Sequence, residues 1–323
     1  MPDRTALLTG CELCPRRCGV DRRRGQTGFC GVGNEIIVAY HGAHFGEEPP
    51  ISGTKGSGNI FFSSCNLRCL YCQNYQISHA VRGQILTTES LVETFLALQG
   101  QGLHNINLVS PTPYAPFIGE AIEAAKNKGV SIPFVYNTHA YENEETLKIL
   151  DGLIDIYLPD FKYWNSGVAG RLSGAPDYPE TARRAILEMK RQVGHLVIEQ
   201  GIATRGLLIR HLVLPSNLAG SRQVLSWIGE YLGPETHVSL MAQYNPLYKA
   251  SRHPMLRRRI KEKEYDRLID FLVDMGFEHV FIQEPESSSV LVPDFERAEP
   301  FAKQRTGKQE QEGPREVLAV NTI

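Results

Sequence analysis

The chain has no excess of charge of one sign and no long apolar run. Its 34 Lys and Arg residues nearly balance its 36 Asp and Glu residues, for a formal net charge of −2, so composition gives no reason to expect nucleic acid or an anionic membrane as a partner. No run of about eighteen apolar residues is present, so we expect no membrane span. The N-terminus lacks the apolar stretch of a secretory signal. We therefore expect a cytoplasmic protein, whose 323 residues suit either one large domain or a domain with a small appendage.

Cysteine is absent from the whole chain after residue 72. All seven cysteines lie before that point, in a group of four (Cys11, Cys14, Cys18, Cys30) and a group of three (Cys65, Cys69, Cys72). Buried core cysteines would be scattered along the chain, and an odd number in a reducing compartment does not suit a disulfide framework. Two tight groups favour metal ligation.

Beyond the cysteines, apolar segments alternate with amphipathic ones, and no internal repeat is visible. Continuously apolar segments typical of parallel strands lie at 60–63, 105–110, 133–138, 154–160, 207–214, 237–244 and 279–284. Helical patterns lie at 87–100, 117–129, 143–152, 179–194, 221–233 and 262–276, the first with Thr88 as the expected N-cap. This alternation predicts an α/β fold, and about six or seven strands favour a partial barrel or an open sheet.

We divide the chain into three parts. Residues 1–50, rich in Arg, Gly and Cys, are predicted to form a small metal-binding lobe. Residues 51–295 carry the α/β pattern. Residues 296–323 form a C-terminal tail, and the part after Phe301 is polar with little periodicity, so we predict that this part is loose.

The group of three cysteines is one thiolate short of the usual set for a cubane cluster. Cys65-x3-Cys69-x2-Cys72 follows a predicted strand, and a [4Fe–4S] cluster normally takes four thiolates. Three thiolates would leave one iron open to chelate a small molecule through an amine and a carboxylate. The alternative is a structural zinc site completed by a histidine, for which His79 is the nearest candidate after Cys72.

This spacing, with the aromatic Tyr71 just before the last cysteine, resembles the signature of radical S-adenosylmethionine (SAM) enzymes. The resemblance narrows to uncharacterised homologues of pyruvate formate-lyase activating enzyme, over about residues 11–295, through the segments HFGEEPPISGTKGSGNIFFSSCNLRCLYCQNYQIS, INLVSPTPY, VYNTHAY, DIYLPDFKY, IRHLVLP and MAQYNP. It implies a (β/α)6 partial barrel with a [4Fe–4S] cluster and SAM at the carboxyl ends of the strands. It also implies that the reduced cluster cleaves SAM to a 5′-deoxyadenosyl radical, which abstracts hydrogen.

The resemblance further implies that the following residues bind SAM: Tyr71, Ser110, Thr112, Asn137, Thr138, Asp160, Lys162, Arg210 and His211. Lys162 would pair with the methionine carboxylate and Asp160 would hold Lys162 in place, although a structural ion pair is the alternative. Since Arg210 and His211 are adjacent in one predicted strand, only one of the two faces the barrel interior. Gln243, Tyr244 and Asn245 are weaker candidates, for the substrate opening.

One segment departs from the activating-enzyme pattern. Those enzymes usually carry Gly-Gly-Glu after the second strand, whereas this chain has Ser110-Pro111-Thr112-Pro113 and no acid. The methionine amino group would then meet backbone carbonyls or the hydroxyls of Ser110 and Thr112. The alternative is a simple strand-end turn.

The group of four cysteines provides a complete set of thiolates by itself. Cys11-x2-Cys14-x3-Cys18-x11-Cys30 suits either a structural zinc ion or a second iron–sulfur cluster. A zinc ion would stabilise a lobe that is too small to fold alone, whereas a cluster could relay electrons or contact substrate. The spacing does not decide between them.

Three functions remain open from the sequence. The first is a glycyl-radical activase, which takes hydrogen from a glycine of a partner enzyme and receives electrons from a donor such as a flavodoxin or ferredoxin. The second is radical SAM modification of a small molecule, another protein or RNA. The third is a non-catalytic iron–sulfur or metal carrier, which formation of 5′-deoxyadenosine would exclude.

Overall fold

The computed structural model describes residues 4–283, 292–301 and 315–318 of the chain. The strands within these ranges are β1 Ile36–His44, β2 Ser57–Phe62, β3 Gln84–Leu86, β4 Ile106–Val109, β5 Phe134–Thr138, β6 Ile156–Pro159, β7 Val197–Glu199, β8 Ile202–Leu212, β9 His237–Met241, β10 His279–Ile282 and β11 Arg315–Leu318. The α-helices are α1 Pro49–Ser52, α2 Tyr75–Ser78, α3 Thr88–Gly100, α4 Ala115–Asn127, α5 Glu144–Lys148, α6 Ser166–Ser173, α7 Tyr178–Val193, α8 Ser221–Leu232 and α9 Glu262–Asp274. Every segment predicted as a strand or helix contains one, although residue 284 of the last strand segment lies outside the described residues.

The sheet is built on parallel strands in the spatial order β2-β4-β5-β6-β8-β9-β10. Antiparallel strands extend it at both ends, since β1 and then β3 add beside β2, and β11 adds beside β10. A short β7 pairs with the start of β8. The central strands are almost entirely buried because helices cover one face and the barrel interior covers the other.

The predicted α/β fold with a partial barrel is confirmed. Residues at the carboxyl ends of β4, β5, β6, β8 and β9 line one common cavity, which requires the sheet to curve around it. Among the described strands the sheet is an open path that ends at β3 and β11. The described residues hold seven parallel strands, as the seven apolar segments predicted and one more than the (β/α)6 barrel that the resemblance implies, because β10 continues the parallel order.

The N-terminal residues do not form a separate lobe. Leu8, Leu13 and Val32 are buried in the same hydrophobic core as the barrel residues. Arg4 forms a two-pronged ion pair with Glu123 of α4, at 2.9 and 2.7 Å. Because β1 lies before residue 50 and pairs with β2 in the main sheet, the boundary predicted at residue 50 falls inside the sheet.

Two local predictions also need correction. The N-cap of α3 is Thr87 rather than Thr88, since Thr87 Oγ1 accepts a hydrogen bond from Ser90 N at 3.1 Å. The segment after Phe301, which was predicted to be loose, is ordered in part, since residues 315–318 form β11. Residues 302–314 and 319–323 lie outside the described part of the chain.

Candidate active site

A cavity of 210 Å³, called the first cavity below, opens at the carboxyl ends of the parallel strands. Neighbouring strands each contribute to its wall because parallel pairing brings their ends to one edge of the sheet. The residues predicted to bind SAM that line it are Tyr71, Ser110, Asn137, Thr138, Asp160, Lys162 and Arg210. Gln243, Tyr244 and Asn245 line it as well.

Cys65, Cys69 and Cys72 all line the first cavity, on the loop that follows β2. Burial raises the pKa of Cys72 to about 11 and also raises the pKa of Cys65 and of Cys69. Such thiols stay protonated at neutral pH unless a cation binds them. Ser173 Oγ donates to Cys69 Sγ at 3.0 Å, and Ser78 Oγ lies 3.2 Å from Cys72 Sγ.

Hydrogen bonds to α6 and to Tyr141 hold the three-cysteine loop in place. Leu70 N donates to Leu172 O, in the last turn of α6, at 2.8 Å. Asn66 Nδ2 donates to Tyr141 O at 2.8 Å. These contacts join the three-cysteine loop to α6 and to the segment after β5.

Lys162 and Asp160 form the pair that the sequence predicted. Lys162 Nζ lies 2.6 Å from Asp160 Oδ2, with the side chains 15% and 22% exposed. Burial by itself would lower the pKa of Lys162, but Asp160 and Cys69 outweigh it and raise that pKa above its ordinary value. Lys162 is therefore a fixed positive charge beside the thiols.

Thr112 does not lie where the sequence predicted. It is fully buried, does not line the first cavity, and donates to Glu142 Oε1 at 2.6 Å. The chain turns sharply at Ser110, whose φ of 58° is in the left-handed region. As a result Ser110 lines the first cavity, whereas Thr112 lies outside its lining. The prediction that the Thr112 hydroxyl meets SAM is therefore wrong.

Glu142 is a buried carboxyl that the sequence analysis missed. Thr112 and Thr138 both donate to its Oε1, while its Oε2 is buried without a hydrogen-bond partner among the described residues. Burial raises the pKa of Glu142 to about 7. A glutamate in the polar segment after β5 carries no local signal of burial.

Arg210 lines the first cavity in a cluster of charges. Its Nε donates to Glu48 Oε1 at 2.8 Å, its Nη2 donates to Glu48 Oε2 at 2.6 Å, and Nη2 also donates to Glu47 Oε2. Asn59 and Asn107 donate to Glu47 Oε1 at 2.6 and 3.1 Å. The sequence predicted a polar group here but missed both glutamates, which lie more than 150 residues away in the chain.

The charge cluster has one more carboxylate than guanidinium. Burial by itself would raise the pKa of Glu47, but Arg210 and His44 outweigh it and lower that pKa to about 2. Both carboxylates are almost entirely buried, at 8% and 1% exposure. Two carboxylates against one Arg leave a net negative charge at the cavity wall, opposite in sign to Lys162.

His211 is a core residue rather than a SAM ligand. It is fully buried, with Nδ1 2.6 Å from Phe161 O and Nε2 2.9 Å from Ser221 Oγ, and it does not line the cavity. Burial lowers its pKa to about 4, so it is neutral at pH 7. Strand alternation therefore places Arg210 inward and His211 outward, and the prediction for His211 is wrong.

The zinc alternative for the three-cysteine loop required His79 to turn toward the thiols. Its Nε2 instead lies 3.1 Å from Cys69 O, and its ring packs on Tyr248 with centroids 4.7 Å apart. His79 does not line the first cavity. These contacts do not favour His79 as a fourth ligand.

An aromatic wall closes part of the first cavity. The Tyr71 ring meets the rings of Tyr163 and Tyr244 edge-on, at 6.3 and 5.9 Å. Phe301, which the sequence analysis missed, also lines the cavity and packs 4.5 Å from the ring of His44. In the sequence, the feature that could have pointed to Phe301 is that a single aromatic residue stands at the start of a polar segment.

The four N-terminal thiols, Cys11, Cys14, Cys18 and Cys30, line a second, smaller cavity. Burial raises the pKa of Cys14 to about 12 and also raises that of Cys30. Among the described residues, no three His, Cys, Asp or Glu side chains are gathered closely enough to hold a single ion. A cubane takes each thiolate on a different iron, so its ligands surround a cavity instead of meeting at one point.

Fold and site together define an α/β partial barrel with two buried thiols and one half-buried thiol at the carboxyl edge of its sheet. Residues 59–203 match the model of the radical SAM superfamily. No helix in the described ranges has the length and apolar character to cross a membrane.

The chain is similar to several known proteins. An uncharacterised protein of Methanocaldococcus jannaschii is 28% identical over 271 residues, which cover 82% of this chain and 74% of that protein. The structure of the FeFe-hydrogenase maturase HydG from Carboxydothermus hydrogenoformans aligns with a TM-score of 0.46 and 16% identity. The alignment covers 70% of this chain and 53% of HydG, so this chain spans about half of the length of HydG. A domain of pyruvate-formate lyase-activating enzyme from Bacteroides vulgatus has a TM-score of 0.38 and 16% identity, over 54% of this chain and 94% of that domain.

Proposed function

We propose that this protein is a radical SAM enzyme in which Cys65, Cys69 and Cys72 hold a [4Fe–4S] cluster. The observation that carries the proposal is that three thiols, two buried and one half-buried, share one cavity with a charged lysine at the carboxyl ends of parallel strands. Three thiolates leave one iron open for the amine and carboxylate of methionine. When bound and reduced, such a cluster supplies the electron that cleaves SAM to methionine and a 5′-deoxyadenosyl radical.

The chain's own residues position SAM. Lys162, held by Asp160 at 2.6 Å, meets the methionine carboxylate as a point charge. Asn137 and Ser110, on neighbouring strand ends, offer the cavity an amide and a hydroxyl for the remaining polar groups. The net negative cluster of Glu47, Glu48 and Arg210 suits the positive sulfonium.

The experiment is to measure 5′-deoxyadenosine from SAM with anaerobically reconstituted, reduced protein, and to compare Cys69→Ala with the wild type. We expect the variant to release none while it retains the circular dichroism spectrum of the wild type. Val273→Ala, at an exposed position of α9, is the control and should cleave SAM normally. Undiminished cleavage by Cys69→Ala would refute the cluster assignment, and no cleavage by a fully loaded wild type would favour a carrier.

For the substrate, we propose a backbone glycine of a partner protein, with a flavodoxin or ferredoxin as electron donor. The support is the resemblance of the strand-end segments to homologues of activating enzymes. A partner loop would enter past Phe301, which lines the cavity. A glycyl-radical signal in electron paramagnetic resonance (EPR), absent when the partner's glycine is changed to alanine, is the expected result; turnover of a small molecule without such a signal would contradict it.

A further inference from the structure

A segment that follows β10 in the chain lies against the opposite end of the sheet. Residues 292–301, called the strap below, pack on β1 and β2 and bind α2, although β10 stands at the far end of the parallel strands. Residues 315–318, as β11, are again beside β10. The chain thus crosses between the two ends of the parallel sheet and returns, and the strap is a described part of that crossing.

The side chain of Phe301 is the part of the strap that reaches the first cavity. It lines the cavity, and its ring packs on those of His44 and Phe61, with centroids 4.5 and 5.5 Å apart. His44 and Phe61 line the cavity as well. Phe295 packs on Phe61 at 5.3 Å but does not line the cavity. Phe301 therefore covers a part of the wall that a substrate would meet if the strap moved away.

One side chain of α2 makes two hydrogen bonds to the strap. Gln76 Nε2 donates to Asp294 Oδ1 at 3.2 Å, and Phe295 N donates to Gln76 Oε1 at 2.8 Å. In the described ranges, the backbone–backbone hydrogen bonds of the strap are internal to it, from Asp294 N to Pro300 O and from Arg297 N to Asp294 O. The strap can therefore leave without breaking a hydrogen bond of the sheet or of a helix.

Two further polar contacts of the strap lie at the surface. Tyr40 Oη donates to Glu299 Oε2 at 3.2 Å. Arg82 Nη1 lies 4.0 Å from Glu296 Oε1, with the side chains 64% and 69% exposed, and an ion pair so exposed contributes little to stability. A segment held by a few side-chain contacts is one that opens locally while the rest of the fold stays intact.

From these contacts we infer that the strap is an autoinhibitory segment, which covers the first cavity until a segment of the partner protein replaces it. The strap itself indicates the chemistry of that partner segment: a peptide loop that places an aromatic side chain where Phe301 now packs on His44 and Phe61. The exchange makes and breaks no covalent bond. The inference rests on the proposed function, because it describes how the partner's glycine reaches the first cavity.

The first test measures how fast a bulky maleimide modifies the three thiols of the first cavity in metal-free, anaerobic protein, with the sites read by mass spectrometry. Phe301→Ala should accelerate this modification by about tenfold or more, because it removes ring contacts that hold the strap closed. The N-terminal thiols of the same molecules are the internal reference and should react as in the wild type. Tyr231→Ala, which truncates an aromatic side chain that is 57% exposed on α8, is the control variant and should change neither rate.

A second variant separates opening of the strap from a hole in the cavity wall. Phe295→Ala leaves the lining of the cavity intact but removes the contact between the strap and Phe61, so it should accelerate modification as well. Circular dichroism should show that both variants keep the wild-type fold. Unchanged rates in both variants would overturn the inference. Acceleration in Phe301→Ala alone would mean that Phe301 only fills a gap, and would overturn it too.

The second test asks whether the uncovered site accepts a peptide. A synthetic peptide with the strap sequence, VPDFERAEPF, is added in excess to Phe301→Ala and should slow the modification toward the wild-type rate. The same peptide with its last residue changed to alanine should give no protection. Equal protection by both peptides, or protection by neither, would overturn the assignment of an aromatic partner segment.

Both tests are independent of SAM chemistry, because the protein holds neither cluster nor SAM. A strap that opens as expected in a protein that never cleaves SAM when fully loaded would refute the proposed function and leave the strap standing. A protein that cleaves SAM but whose thiols react equally in the wild type and in both strap variants would refute the strap alone.

Discussion

Arg210 offers the sharpest test of how the first cavity is built. Arg210→Met removes the only guanidinium that is bonded to Glu47 and Glu48 among the described residues, while it keeps most of the side-chain volume. All three side chains are at most 12% exposed, so the two carboxylates are left buried without their partner. Breaking a buried ion pair in this way costs about 3–5 kcal/mol.

The assay is urea unfolding of the anaerobic protein at pH 7, followed by tryptophan fluorescence. Arg184→Met is the matched control, because Arg184 pairs with Glu180 and Glu144 while 59% exposed, and such a pair contributes less than about 1 kcal/mol. A loss for Arg210→Met no larger than the control's would refute the buried cluster. Glu48→Gln in the Arg210→Met background should recover part of the loss, since it removes one unpaired charge.

The pH dependence checks the same reasoning. In the wild type Glu47 has a pKa of about 2, below its ordinary 4.5, so its contribution to stability is present above pH 4.5 and is lost as the pH falls through about 2. Without Arg210, burial raises that pKa above 4.5, and protonation then relieves the buried charge. The deficit of Arg210→Met relative to wild type should therefore shrink between pH 7 and pH 5; a constant deficit would contradict the assignment.

The remaining predictions concern three other buried groups. Lys162→Ala should weaken SAM binding, measured calorimetrically on cluster-loaded protein, while the exposed control Lys128→Ala leaves it unchanged; equal dissociation constants would remove Lys162 from the site. His211→Ala should lower the free energy of unfolding by about 2–4 kcal/mol without changing SAM affinity, because the ring bridges a carbonyl and Ser221 inside the core; a selective loss of SAM binding would argue otherwise. The pKa of Glu142 is raised from its ordinary 4.5 to about 7, so ionisation of this buried carboxyl lowers the free energy of unfolding progressively as the pH rises from 4.5 to about 7. Glu142→Gln should therefore reduce the slope of the free energy of unfolding against pH over that range in the metal-free protein. An unchanged slope would contradict this assignment.

The sequence was sufficient where the signal is local. Strand and helix positions followed from apolar runs and helical periodicity, which depend on burial of neighbouring positions in the same segment. The three-cysteine loop and the Lys162–Asp160 pair were also visible, since both need only short spacings along the chain. Errors within these elements were small, as with the N-cap at Thr87.

Only the tertiary structure decided which distant residues meet. Glu48 reaches Arg210 across 162 positions of the chain, and Cys30 reaches Ser64 across 34, through tertiary packing that no local pattern encodes. The sheet also settled which of Arg210 and His211 faces the cavity, because that choice depends on the curvature of the sheet around them. Local periodicity thus determined the α/β chain and its thiol loop, whereas long-range packing gathered the buried charges at the first cavity and the N-terminal thiols at the second.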